Sequence, residues 1–95
     1  MTVVLAVIPT YNEVQNITSI ISSVRKALAN CNYVHHILIV DDNSPDGTAE
    51  AILEMARDDK HVHLLRRQGK LGLGSAYVDG LTWGLSNLHF DILVQ

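Results

Sequence analysis

The chain has 95 residues, 47% hydrophobic and 18% charged, with a net charge of -3 and a pI near 5.9. This composition is globular, sized for one small domain, and excludes an intrinsically disordered chain. The acidic balance argues against nucleic-acid binding and against a polybasic membrane patch. Cys31 is the single cysteine, so an internal disulfide is excluded and a reducing compartment fits. No apolar run nears the ~20 residues that span a bilayer, and the run from Val3 to Ile8 lacks the charged leader of a signal peptide.

Val3 to Ile8 is continuous and rich in β-branched residues, which predicts a buried strand that Pro9 should end. Asn12 with Gln15 three residues on gives a capping-box pattern. Ile17, Ile20, Ile21, Val24 and Leu28 then line one face of a helix. The plan repeats. His36 to Val40 is a second strand, and Asp41 to Thr48 a turn-rich loop with Asp46 as candidate N-cap. Ala51, Ile52, Met55 and Ala56 mark a second helix. Val62 to Leu65 is a third strand. A basic, glycine-containing loop runs from Arg66 to Gly74. Tyr77, Leu81, Gly84, Leu85 and Leu88 space a third helix, and Asp91 to Gln95 begins a fourth strand. The order βαβαβαβ implies a Rossmann-like parallel sheet whose ligands bind beyond the carboxyl ends of the strands.

The polar residues fall at those ends. Pro9-Thr10-Tyr11-Asn12-Glu13 contains no glycine, so it is not a dinucleotide loop. Gly69-Lys70-Leu71-Gly72-Leu73-Gly74 has the wrong spacing and follows the wrong strand, and no Walker pattern is present. Tyr11 can stack on a ring. Glu13 can accept from a base or sugar, or simply favour a helix start through the macrodipole. Asp41 or Asp42 can hold a ribose hydroxyl or base N–H, or can serve as turn chemistry. Lys70, flanked by glycines, can meet phosphate oxygens, or can sit with Arg66 and Arg67 in a solvated loop. His61 and His63 share a strand face but lack a third ligand, a poor metal site. Tyr77 and Trp83 are expected in the core.

Three segments together resemble the family 2 glycosyltransferases. They are Val7-Ile8-Pro9-Thr10-Tyr11-Asn12-Glu13, then Val40-Asp41-Asp42-Asn43-Ser44-Pro45-Asp46-Gly47-Thr48, then Gly69-Lys70-Leu71-Gly72-Leu73-Gly74-Ser75-Ala76-Tyr77. Within that family the last two are similar to the dolichyl- or polyprenyl-phosphate mannose synthases. The resemblance implies a GT-A fold, with residues 1–95 as its nucleotide-sugar-binding part. It implies a GDP-mannose donor, a polyprenyl phosphate acceptor and inversion at the anomeric carbon. By matching position, Pro9, Tyr11 and Glu13 would line the nucleotide pocket. Val40 and Asp42 would meet base and ribose, with Asp41 beside them, and Lys70 would lie on the phosphate side.

The family's Asp-x-Asp motif, which holds Mg²⁺ or Mn²⁺, is expected directly after Gln95. No metal ligand and no catalytic residue is therefore expected in these residues, and the chain alone should be inactive. The acceptor implies work at the cytoplasmic face of a membrane, with any anchor downstream or on a partner. Alternatives are a transferase using a UDP-sugar, a non-catalytic nucleotide-binding module and an unrelated Rossmann-type protein.

Overall fold

A computed structural model describes residues 2–30, 33–69 and 72–95. Its elements are β1 (Val3–Thr10), α1 (Ile17–Ala29), β2 (Val34–Asp41), α2 (Thr48–Asp58), β3 (Val62–Arg66), α3 (Leu73–Asn87) and β4 (Ile92–Val94). All strand pairs are parallel, and the sheet order is β3-β2-β1-β4. The alternation expected from the sequence is therefore the observed one. The order reverses at β1, where a crevice opens at the carboxyl edge in sheets of this kind.

Two apolar clusters sandwich the sheet. On one face Ile17 and Ile21 of α1 and Ile52 of α2 pack on Ile37, Ile39 and Val62. On the other, Ala76 of α3 packs on Leu5, Val7, Leu38 and Val40. Tyr77 and Trp83 lean on that second cluster, as expected of core aromatics.

Pro9 does not end β1; it pairs with Val40 inside the ladder. Hydrogen-bonding direction alternates along a strand. The Val3 carbonyl accepts from the Asp91 N–H on the β4 side, at 2.8 Å. Pro9 has the same parity, so its nitrogen turns toward β4. The β1–β2 ladder, served by the even residues Thr2 and Thr10, therefore needs no donor from Pro9, and the proline is tolerated within the strand.

The third helix also differs from its expected face. Ala76, Gly80 and Gly84 are its buried residues, whereas Leu85 is 69% exposed. Close packing explains this. A Cβ on Gly80 would stand 2.6 Å from Val7 Cγ1, and one on Gly84 2.5 Å from Leu5 Cδ2. The larger apolar residues are thereby displaced to the outer face.

Near the start of β3, on the α3 side, His36 Nδ1 lies 2.9 Å from His63 Nε2. The His63 ring packs 5.1 Å from Trp83. His61 precedes β3 instead of lying in it, and its ring centroid is 4.7 Å from that of His36. Burial, reinforced for His36 by His63 and His61, pushes the pKa of His36 down; burial and His61 do the same for His63.

Two predictions follow from this packing. Gly80→Ala, normally a gain of roughly 1 kcal/mol inside a helix, should instead destabilise by about 1–3 kcal/mol through overpacking, measurable by urea denaturation. Because the folded His36 and His63 values are depressed, the unfolded chain binds more protons in the titration range. Stability is then full above the ordinary histidine value of about 6.5 and is lost as pH falls below it. Tm should drop on acidification, and a His36→Gln, His63→Gln double variant should flatten that drop.

Candidate functional site

Backbone amides beyond the end of β1 build the site. The Asn12 N–H donates to Ser44 Oγ at 2.9 Å, the Glu13 N–H to Thr48 Oγ1 at 3.0 Å and the Val14 N–H to Asp46 Oδ2 at 3.1 Å. The loop after β1 is thus sewn to the loop after β2. This overturns the capping role expected of Asn12. Its φ is +55°, the helix begins at Ile17 and Asn16 is the N-cap. The Asn12 amide that a capping box would satisfy locally is satisfied by Ser44 instead.

Asp46 precedes the N-cap Gly47 (φ +92°) and accepts from the Thr48 N–H at 3.0 Å. It therefore performs the capping expected of it from one position earlier. Desolvation raises its carboxyl pKa, but hydrogen bonds from the Thr48 hydroxyl and the Val14 and Thr48 amides outweigh it and hold the group below its ordinary value.

Asp41 and Asp42 divide sharply. Asp41 is fully buried. Its Oδ1 accepts from Thr10 Oγ1 at 2.9 Å and Ser44 Oγ at 2.7 Å, and its Oδ2 from the Ser44 N–H at 2.9 Å. Asp42 instead reaches the surface of a cavity of about 280 Å³ lined by Pro9, Thr10, Tyr11, Glu13, Asp42, Gly72 and Leu73. Pro9, Tyr11, Glu13 and Asp42 of the expected site residues thus meet there. The Val40 side chain lies in the core beneath, and Asp41 braces the loop. Lys70 lies outside the described residues.

One residue in this neighbourhood was not anticipated. Arg67, expected in a solvated loop, is 7% exposed. Its Nε donates to Asp42 Oδ1 at 2.6 Å and its Nη2 to Asp42 Oδ2 at 3.0 Å. The Asp42 hydrogen bond raises the guanidinium pKa against the effect of burial. Parallel pairing of Asp41 with Arg66 is what carries Arg67 alongside Asp42. The sequence signal was an arginine just past a strand, legible only once strand register is known.

A larger cavity of about 520 Å³ lies between β3 and α3, lined by Leu65, Arg67, Asp79, Thr82 and Trp83 among others. It does not include the β1 loop. Among the described residues no group of three His, Cys, Asp or Glu is placed to hold a metal ion, and no helix is long and apolar enough to cross a membrane.

An open parallel sheet with polar loops tied together at its switch point defines a Rossmann-like ligand-binding half-domain. Within that class the chain belongs to glycosyl transferase family 2, whose family model matches residues 5–87. It is 46% identical over 92 residues to the polyprenol monophosphomannose synthase of Mycolicibacterium smegmatis. It is 41% identical over 92 residues to the undecaprenyl-phosphate mannosyltransferase of Micrococcus luteus. These matches cover 96% and 97% of the chain but 33% and 36% of those proteins, so the chain spans about a third of their length. Among solved structures it is similar to the mannosyltransferase PcManGT of Pyrobaculum calidifontis in complex with GDP-Man and Mn²⁺. The TM-score is 0.69 at 24% identity, covering 84% of this chain and 24% of that one. At that identity the likeness is one of fold.

The division between the two aspartates is testable. Asp41→Ala strips acceptors from the buried Thr10 hydroxyl and Ser44 amide, each costing about 1–3 kcal/mol when left unsatisfied. Urea unfolding should show a loss of at least about 2 kcal/mol.

Proposed function

We propose that this chain is the donor-recognising part of a mannosyltransferase that carries mannose from GDP-mannose to a polyprenyl phosphate with inversion. One observation carries the reading. Tyr11, Glu13 and Asp42 meet in a single cavity at the strand ends, in a chain whose relatives are a polyprenol monophosphomannose synthase and an undecaprenyl-phosphate mannosyltransferase. A cavity of about 280 Å³ is at the lower end for small-molecule pockets, which suits a nucleoside and not the whole sugar nucleotide.

In this reading Tyr11 packs on a ring, while Glu13 and Asp42 accept from base N–H or ribose hydroxyls. The loops hold these groups before the ligand arrives, which lowers the ordering cost of binding. The divalent ion expected with such a donor would neutralise charge on the leaving diphosphate. The described residues do not fit it: no group of three His, Cys, Asp or Glu is placed to hold a metal ion, and the Asp41 carboxylate is engaged by Thr10 and Ser44. The role assigned to this chain therefore stops at binding and orienting the nucleoside. In this reading the polyprenyl acceptor puts the reaction at a membrane surface, and the single cysteine, Cys31, suits its reducing, cytoplasmic face.

The complete protein that carries this chain should transfer mannose from GDP-mannose to a polyprenyl phosphate in the presence of Mn²⁺. Transfer from UDP-glucose in preference would replace the donor assignment. In the same protein Glu13→Gln should weaken GDP binding about tenfold to a hundredfold, the equivalent of one charge-assisted hydrogen bond. Tm without ligand should be unchanged. Calorimetric titration gives the affinity, and an unchanged value would remove Glu13 from the pocket.

A further inference from the structure

A guanidinium has five N–H donors in a rigid fork, and those of Arg67 all have acceptors. Asp42 takes two, at 2.6 and 3.0 Å. Ser75 Oγ takes one at 2.6 Å, Asp79 Oδ2 one at 3.1 Å and the Gly72 carbonyl one at 3.1 Å. The side chain is 4% exposed. No donor is left for a ligand phosphate, and the two carboxylates outweigh its single charge. Arg67 therefore neither binds nor attracts a diphosphate.

Its acceptors include two residues of the cavity wall, Asp42 and Gly72, which come from different elements of the fold. Asp42 follows β2, and Gly72 is the N-cap of α3, with φ +97° and ψ 157°. The fork fixes the plane of the Asp42 carboxylate beside a second buried aspartate and leaves each oxygen a further lone pair. The same guanidinium, together with the Ala76 N–H at 3.1 Å, aims the Gly72 carbonyl.

We propose that Arg67 is a positioning residue that locks Asp42 and the Gly72 turn into one wall, and so sets the affinity for a nucleoside diphosphate without touching it. The proposal rests on the reading that this cavity receives the nucleoside of such a ligand.

GDP is the probe, titrated calorimetrically against the complete protein, with Tm recorded without ligand. Arg67→Lys keeps the charge but loses the fork, so affinity should fall about tenfold or more. Asp79 lies outside the cavity lining, and its side chain is 47% exposed, so Asp79→Ala should fold normally. It frees one arm of the fork and should weaken GDP binding about threefold, an effect that disappears in the Arg67→Lys background because both changes act through one group. If Arg67→Lys does not fold, the Asp79→Ala affinity decides alone. A lowered Tm with unchanged affinity, or effects of the two changes that simply add, would overturn the positioning role while Glu13→Gln still weakens GDP. Absence of GDP binding by the unsubstituted protein would overturn the cavity reading and this proposal with it.

Discussion

Three consecutive backbone amides, at Asn12, Glu13 and Val14, lie beyond β1 and ahead of α1 with no ladder or helix to join. The bonds of the first two are part-buried, where an amide needs an acceptor, and the three find Ser44, Thr48 and Asp46. The placing of the β1 loop at the carboxyl edge depends on that exchange. It holds the loop after β1 in an irregular conformation, with Asn12 in the left-handed region. It keeps Tyr11 and Glu13 facing the cavity they share with Asp42. The Asp46-Gly47-Thr48 turn thus has two tasks: it starts α2 and it supplies acceptors to the neighbouring loop.

The adjacent aspartates show how a strand end separates support from recognition. Side chains alternate in direction along extended chain, so of two consecutive carboxylates one turns in and the other out. Asp41, the inward one, organises Thr10 and Ser44. Asp42, the outward one, meets Arg67. A buried ion pair of this kind contributes little net stability but is costly to break, about 3–5 kcal/mol when one partner is removed. A substitution at Asp42 would therefore disturb fold and pocket together, which makes Glu13 the cleaner probe of binding.

The small-residue face of α3 serves the same end. Ala76, Gly80 and Gly84 let the helix settle onto Val7 and Leu5. That seats its first turn, with Gly72 and Leu73, against the cavity and brings Ser75 and Asp79 within reach of Arg67. The cost is an outer face that carries Val78 and Leu85, 63% and 69% exposed.

Much of this was legible in the sequence. Apolar runs with β-branched residues announced the strands, and three-four spacing announced α1 and α2, because burial dictates which periodicities survive. The glycine-free first loop, the paired aspartates after the second strand and the glycine-containing third loop marked the site and its family resemblance. What only the tertiary structure decided was who meets whom across the sheet. A capping signature at Asn12 yielded to distant acceptors, Pro9 stayed within a strand because its nitrogen turns away from β2, and glycines took the buried face of α3. Asp41 was separated from Asp42, and Arg67 was drawn from an apparent solvated loop to a buried place behind Asp42 and Gly72 of the pocket wall. Periodicity reports how a segment is buried, but partners far apart in sequence are set by strand register and close approach, which no local pattern encodes.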